Sequence, residues 1–276
     1  MSNQTIESDG LGDEWGRDVW SAGDYARTAK QYLPMAARLV DRVGIGPDDA
    51  VLDIGTGTGN VAITAARGGA DVVGIDISDD LLDTARRRAE TLECPNITFD
   101  AGDAAALPYP DDAFDATLSN LGHMYADPPH TVAKELIRVT RPGGRIGFTS
   151  WTPMSMYPRM AGVAMQYVSP AALPDYTAPP FLWGDEATVR ERLEGDVSDL
   201  SAEQLEIGYP TVDPQEFWEE TKQTSGVFEK LISPLDKRDA EALDADMRPA
   251  LEAAFDASEN VMPLIYLQSI ATVTNG

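Results

Sequence analysis

The stretch Asp53-Ile54-Gly55-Thr56-Gly57-Thr58-Gly59-Asn60 decides the fold of this 276-residue chain. It follows a short apolar run, Val51-Leu52, and precedes an apolar stretch with helical spacing. Glycines let the backbone turn tightly and let a ligand lie against it without a Cβ in the way. An acidic residue at a strand end, three alternate glycines and a helix start therefore predict a loop that holds a nucleotide cofactor.

Around this loop the sequence alternates between strand and helix patterns. Strands are predicted at 50–54, 71–75, 97–100, 114–119 and 145–150, and helices at 60–67, 79–90 and 130–140. Such alternation implies parallel strands joined by right-handed crossovers, with helices on both faces of the sheet. The predicted fold class is therefore α/β, a Rossmann-like doubly wound sheet that binds its ligand at the carboxyl ends of the strands.

Outside this region the patterns are less regular. The stretch 24–43 has helical spacing, and Pro34 is expected to kink or split it. Pro142-Gly143-Gly144 is expected to end the helix 130–140 and turn the chain into the strand 145–150. After Trp151 the alternation stops. Helices are predicted at 185–193, 214–231 and 239–257, and strands at 205–209 and 262–274. The last strand is expected to close the sheet in the antiparallel direction.

The chain is strongly acidic, with a formal net charge of −25. Its 46 acidic residues face only 5 Lys and 16 Arg and are spread along the sequence. This composition resembles that of proteins from extreme halophiles; an acidic protein from a low-salt cell is the alternative. Nucleic acid is not expected as a partner, since phosphate contacts need a basic patch. Anionic membranes are disfavoured for the same reason.

Other features bear on location. The single cysteine, Cys94, cannot form an internal disulfide, and residues 1–10 have no apolar signal-peptide core. No stretch approaches the roughly 20 apolar residues that span a bilayer. We therefore expect a cytoplasmic protein without membrane insertion, and no metal site is predicted.

The charges around the glycine loop favour one cofactor. A dinucleotide site has the spacing Gly-x-Gly-x-x-Gly, but here Asn60 stands where the third glycine would be. The carboxylate of Asp53 is an unfavourable neighbour for a pyrophosphate and a favourable one for an ammonium group. S-adenosylmethionine carries an α-ammonium group and no phosphate. The residues therefore favour S-adenosylmethionine over NAD.

The loop resembles motif I of the class I S-adenosylmethionine-dependent methyltransferases. Val72-Val73-Gly74-Ile75-Asp76-Ile77 and Ala101-Gly102-Asp103-Ala104 resemble the second and third motifs in order and spacing. The pairs Leu107-Pro108 and Phe114-Asp115, and the stretch 141–144, also match the family. The likeness is strong over 45–151 and closest to the small-molecule methyltransferases of ubiquinone and menaquinone biosynthesis.

The resemblance implies roles for individual residues. Asp76 is expected to bind the ribose hydroxyls and Ile77 to pack on the adenine, whose edge would meet Asp103 and the Ala104 N–H. Asn120 is expected at the methionine end, and Gly55, Thr56 and Gly57 against the cofactor. Each acid has a simpler alternative as a capping or solvated turn residue, and Asn120 as a turn former.

The same likeness suggests a division of the chain. Residues 1–44 would form an N-terminal helical lid, 45–151 the cofactor-binding core, and 152–276 acceptor-cap insertions plus closing strands of the same sheet. In the lid, Tyr25 would bond the cofactor carboxylate and Trp20 would wall the acceptor pocket. The Met-rich stretch 154–167, with Phe181 and Trp183, would line that pocket. Core packing is the alternative for Tyr25 and Trp20, and ordinary core or a dimer surface is the alternative for the stretch.

The expected activity is methyl transfer from S-adenosylmethionine to a small, apolar or aromatic acceptor, leaving S-adenosylhomocysteine. His123, three residues after Asn120, is the candidate general base; a structural histidine is the alternative. Two other functions stay open. One is an NAD-dependent oxidoreductase, and the other is a non-catalytic, S-adenosylmethionine-binding regulatory protein.

Overall fold

A single seven-stranded sheet organises the computed structural model, which describes residues 18–20, 22–169 and 176–274. The strand order is β3-β2-β1-β4-β5-β7-β6. Strands β1 to β5 are parallel, whereas β7 runs antiparallel to both β5 and β6. The strands are β1 Ala50–Ile54, β2 Asp71–Asp76, β3 Ile97–Ala101, β4 Phe114–Asn120, β5 Thr140–Trp151, β6 Val197–Pro210 and β7 Val261–Val273. This confirms the predicted fold class.

Helices cover both faces of the sheet. They are α1 Tyr25–Ala29, α2 Leu33–Val43, α3 Asn60–Arg67, α4 Asp79–Thr91, α5 Pro129–Val139, α6 Met156–Ala164, α7 Glu186–Arg192, α8 Pro214–Thr224, α9 Gly226–Ile232 and α10 Lys237–Ala254. Short 3₁₀ turns lie at Lys30–Tyr32, His123–Tyr125 and Pro180–Gly184. Val51 packs in the apolar cluster with α2 and α3, and Leu52 in the cluster with α5 and α6. A strand buried on both faces is typical of a parallel sheet.

Local signals explain where several helices begin. The Ser78 hydroxyl accepts a hydrogen bond from the Leu81 N–H at the start of α4, and the Asp213 carboxylate accepts one from the Gln215 N–H at the start of α8. Each side chain satisfies a backbone donor that the first helical turn leaves unpaired. Pro34 lies in the first turn of α2, after the 3₁₀ turn that separates α1 from α2.

The structure differs from the sequence prediction at three places. Residues 141–144 form a bulge inside β5, because Phe114 pairs with Thr140 while Ala116 pairs with Arg145. The predicted helix 214–231 is two helices, since Ser225 adopts an extended conformation and caps α9. Strand β6 runs from Val197 to Pro210 rather than over 205–209, with its exposed side chains masking the pattern.

Of the predicted lid, residues 1–17, including Trp15, and Ser21 lie outside the described residues.

Candidate active site

The glycine loop joins β1 to α3 at the carboxyl edge of the sheet. Its glycines all have positive φ angles: 61° at Gly55, 53° at Gly57 and 83° at Gly59. An added Cβ at Gly55 would lie 2.6 Å from the Cα of Gly122, in the loop after β4. The two loops therefore touch backbone to backbone, and their contact fixes the floor of a cleft.

Asp53 lies at the end of β1 with 1% of its surface exposed. Its Oδ2 accepts hydrogen bonds from the Thr56 hydroxyl at 2.6 Å and from the Ala62 N–H at 3.0 Å. Burial raises the pKa of this carboxyl to about 7, against the opposing effect of those two hydrogen bonds. Without a nearby cation, a carboxyl with this pKa is protonated and neutral in a large fraction of molecules near pH 7. A nearby cation stabilises its carboxylate form.

Asp76 ends β2 beside the loop and is also buried. Its Oδ2 accepts from the Gly57 N–H at 2.7 Å and its Oδ1 from the Ser78 N–H at 2.9 Å. Burial raises the pKa of Asp76, although these backbone donors favour the charged form. Each oxygen keeps a second lone pair, so the carboxylate remains able to accept from a ligand diol. Ile77 follows it and is half-buried.

Asp103 and Ala104 follow β3 and are half-buried. Asp76 is in register with Ala101, so Asp103 lies two residues beyond the strand position beside Asp76. The Asp103 carboxylate accepts a hydrogen bond from the Ala105 N–H at 2.8 Å. The predicted ribose and adenine residues thus follow adjacent strand ends.

A cleft lies between the loop and the N-terminal helices. Five of the predicted site residues line it: Tyr25, Asp53, Gly55, Thr56 and Asn120. Ala29, Tyr32, Thr58, Asn60 and Val61 complete its wall. The other predicted site residues do not line it: Gly57, Asp76, Ile77, Asp103 and Ala104. The Asn120 Oδ1 accepts from the Thr149 hydroxyl at 2.7 Å, which fixes the orientation of the amide.

Tyr25 covers the glycine loop from α1. An added Cβ on Gly57 would lie 3.5 Å from the Tyr25 ring, and Trp20 packs edge-on against that ring at 5.5 Å. Burial, with the negative charges of Asp76 and Asp53, raises the pKa of Tyr25. Its hydroxyl is therefore a neutral hydrogen-bond donor at physiological pH.

A second cleft adjoins the first and shares Tyr25 and Tyr32 with it. Seven of its other lining residues are apolar or aromatic side chains: Trp20, Leu121, Tyr125, Trp151, Tyr157, Phe181 and Phe228. Small residues of α8 and α9 complete the wall at Thr221, Thr224, Ser225 and Val227, with Thr28 and Ala161 opposite. The second cleft is therefore an aromatic chamber.

A tyrosine pair lies where the two clefts meet. The Tyr32 hydroxyl donates a hydrogen bond of 2.7 Å to the Tyr157 hydroxyl. Burial raises the pKa of Tyr157 to about 12 and raises that of Tyr32 as well. Because Tyr157 accepts this bond, its own proton can point toward a molecule in the second cleft.

The wall of the second cleft matches the sequence prediction only in part. Trp20 and Phe181 line it, as do Tyr157 and Ala161 of the predicted stretch, but Met156, Met160 and Trp183 are buried together in the main apolar core. Met154 points to solvent with 69% of its surface exposed. Tyr32 and the lining residues in 221–228 were not predicted; the only hint was the run of small residues Thr224-Ser225-Gly226.

His123 lies outside both clefts. It is fully buried on a 3₁₀ turn, with its ring 4.6 Å from Phe148 and 4.8 Å from Trp183, and its Nε2 is 3.3 Å from the Ser150 hydroxyl. Burial and the charge of Arg192 lower its pKa to about 3. The structure therefore does not bring the candidate base to the cleft, and this environment fits the alternative of a structural histidine.

Comparisons with known proteins agree with this geometry. A methyltransferase domain model matches residues 51–144. An uncharacterised protein of Mycobacterium tuberculosis is 38% identical over 185 residues, which is 67% of this chain and 66% of that protein. The demethylmenaquinone methyltransferase of Renibacterium salmoninarum is 41% identical over 108 residues, 39% of this chain and 44% of that enzyme.

A solved structure shows the same fold. It is the phosphoethanolamine N-methyltransferase 2 of Haemonchus contortus, in complex with phosphomonomethylethanolamine and S-adenosylhomocysteine. The TM-score is 0.57 at 17% identity, and the match covers 88% of this chain and 53% of that one. Residues 51–144 therefore form a methyltransferase domain, and the chain has the fold of the S-adenosylmethionine-dependent methyltransferases.

Two further kinds of feature are absent from the described residues. No helix among them is long and apolar enough to cross a membrane. Within 18–20, 22–169 and 176–274, no three His, Cys, Asp or Glu side chains form a group that would hold a metal ion.

Proposed function

We propose that this protein transfers a methyl group from S-adenosylmethionine to a small acceptor that is apolar or aromatic. The observation that carries the proposal is the pair of adjoining clefts. One is built on the motif residues of the glycine loop, the other is lined mainly by aromatic rings, and both share Tyr25 and Tyr32. A donor in the first cleft would present its methyl group to an acceptor in the second.

The chemistry of the first cleft suits S-adenosylmethionine. Asp53 would bind the α-ammonium group, and its raised pKa would fall as that cation arrives. Tyr25, a neutral donor, would bond the carboxylate, and Asn120 would contact the methionine end. Asp76 would accept from the ribose hydroxyls, with Ile77, Asp103 and Ala104 around the adenine.

The protein's share of the chemistry would be alignment and exclusion of water. When bound, S-adenosylmethionine supplies a methyl group on a sulfonium, and the acceptor would take this methyl group by in-line displacement of S-adenosylhomocysteine. The aromatic walls would hold the acceptor ring, and the Tyr157 hydroxyl would donate to an oxygen of the acceptor. Since His123 lies outside the clefts, we do not assign it the role of base.

Cofactor binding is tested by calorimetry. S-adenosylhomocysteine should bind in the micromolar range, while NADH should not bind. The reverse result would overturn the proposal in favour of an oxidoreductase.

The acceptor is tested with a panel of quinols, phenols and amines, scored by mass spectrometry for a gain of one methyl group. The demethylmenaquinone methyltransferase relative puts quinols first in the panel. Binding without product across the whole panel would favour a non-catalytic, cofactor-binding protein. A cytoplasmic location, the division into lid, core and cap, and a homodimer stay predictions.

A further inference from the structure

Asn60 makes contacts that explain why no glycine stands at this position. It is the first residue of α3, directly after Gly59, and it is buried. Its Nδ2 donates a hydrogen bond of 2.7 Å to the carbonyl oxygen of Ala29, and its Oδ1 accepts one of 3.0 Å from Arg88. The side chain thus joins the glycine loop to two other helices, α1 and α4.

Arg88 sets the orientation of this amide. From α4 its Nη1 reaches the Asn60 Oδ1 and also the Thr58 hydroxyl at 3.0 Å. A guanidinium only donates, so the amide oxygen of Asn60 must face Arg88 and the NH₂ group must face Ala29. Both contacts are satisfied in one orientation alone, and a glycine, serine or aspartate at 60 could not make both.

The contact to Ala29 bears on the cofactor cleft. Ala29 is the last residue of α1, the helix that carries Tyr25, and both residues line the first cleft. The 3₁₀ turn Lys30–Tyr32 follows α1 directly, and the Asn60 amide adds a side-chain donor to the Ala29 carbonyl at this junction. Asn60 therefore ties the C-terminal end of α1 to the cofactor loop.

We propose that Asn60, oriented by Arg88, is a positioning residue that latches α1 over the cofactor cleft. The role in cofactor retention rests on the proposed function. The latch itself is a property of the free protein, since Asn60, Ala29 and Arg88 all belong to this chain. Opening α1 to admit or release the cofactor would require the Asn60–Ala29 hydrogen bond to break.

The test variant is Asn60→Asp. An aspartate still accepts from Arg88, but it presents a second oxygen to the Ala29 carbonyl and repels it. The matched control is Asn96→Asp, because the Asn96 amide likewise donates to buried carbonyls, those of Ala66 and Ala70 at 2.9 and 2.6 Å, remote from α1. Both variants exchange the same amide for a carboxylate.

The first readout needs no cofactor. Arg27 and Lys30 offer trypsin two sites in and just after α1. We expect native-state cleavage there to be about tenfold faster in Asn60→Asp, the scale of one lost buried hydrogen bond, and unchanged in Asn96→Asp. Wild-type cleavage rates in Asn60→Asp, or equal acceleration in both variants, would overturn the latch.

The second readout is S-adenosylhomocysteine affinity and, where methyl transfer is measurable, kinetics. Asn60→Asp should weaken binding about tenfold and raise KM for the donor more than it lowers kcat. Should Asn60→Asp not fold, Arg88→Gln frees the amide to rotate and should give a smaller acceleration of the same cleavages. If wild type binds no S-adenosylhomocysteine, the proposed function fails, while the trypsin comparison still decides the latch.

Discussion

At the residue scale, the proposed contact of the buried Asp53 carboxyl with the ammonium group would make cofactor binding sensitive to pH. Its pKa is raised to about 7 in the free protein, and an ammonium group beside it would lower that pKa. Binding then requires the ionised form, so affinity falls as pH drops below 7. We expect S-adenosylhomocysteine to bind about tenfold more weakly at pH 6 than at pH 8, measured by calorimetry.

A variant isolates the contribution of this group. Asp53→Asn should bind more weakly than wild type at pH 8 and should show a flat affinity between pH 6 and 8. Repeating the wild-type titration at pH 7 in buffers of different ionisation enthalpy should show release of roughly half a proton. An affinity independent of pH in wild type would remove Asp53 from the ammonium site.

His123 should affect stability rather than the reaction. Its pKa is lowered to about 3 in the folded state, so between pH 6.5 and 3 the unfolded chain binds more protons at this residue. The contribution of neutral His123 to the free energy of unfolding is therefore complete above pH 6.5 and is lost as pH falls. In urea titrations, wild type should lose about 2 kcal/mol more than His123→Phe between pH 6.5 and 5.

The same variant tests the base hypothesis. If His123 is structural, His123→Phe should keep the shape of the wild-type pH profile of kcat/KM. A fall of a hundredfold or more in kcat with cofactor affinity intact would instead restore His123 as the base.

At the element scale, the N-terminal segment packs on the junction of α8 and α9 without room for side chains. An added Cβ on Gly226 would lie 1.7 Å from the carbonyl oxygen of Val19, and one on Gly23 would lie 2.8 Å from that of Thr224. This contact places Trp20 in the wall of the second cleft. The acceptor chamber therefore depends on a backbone contact between distant parts of the chain.

Gly226→Ala should displace that segment. We expect acceptor KM to rise about tenfold while S-adenosylhomocysteine affinity changes less, with a loss of about 1–3 kcal/mol in stability from overpacking. Gly162→Ala is the control, because nothing lies within 4 Å of an added Cβ there; it should be neutral or stabilise α6 by up to about 1 kcal/mol. Equal effects of the two variants on acceptor KM would contradict the prediction.

The elements also show how far sequence alone reaches. Strands β1 to β4 and helices α3 to α5 could be predicted from local periodicity. The cofactor could be predicted from the carboxylate of Asp53 and the glycine spacing in the loop 53–60. The aromatic chamber could not be predicted in full, because its wall also includes Tyr32 and Phe228. These two residues are far apart in sequence and show only the pattern of core residues. Burial of His123 was equally invisible, since a lone histidine after a strand fits an active site as well as a core.

At the scale of the whole molecule, the net charge of −25 opposes the compact state. The 21 basic residues neutralise fewer than half of the 46 acidic ones. The ion pair Lys237–Glu241 is typical of an exposed pair, with side chains 90% and 70% exposed and a separation of 3.7 Å. Exposed pairs of this kind contribute about 0–1 kcal/mol to the free energy of unfolding. Salt weakens these pairs, but we expect the stability lost in this way to be smaller than the stability gained when salt screens the repulsion among the excess negative charges.

The melting temperature should therefore rise with KCl. Screening alone is largely complete once the Debye length falls to about 3 Å near 1 M, so a rise that continues beyond this concentration is the result expected of a halophile protein. The double variant Glu252→Lys and Glu259→Lys changes two exposed positions by two charges each, from −25 to −21. It should melt higher than wild type at low salt and gain less from KCl. A melting temperature flat from low to molar KCl would show that repulsion among the acidic residues does not limit stability, and the halophile interpretation of the composition would then be wrong.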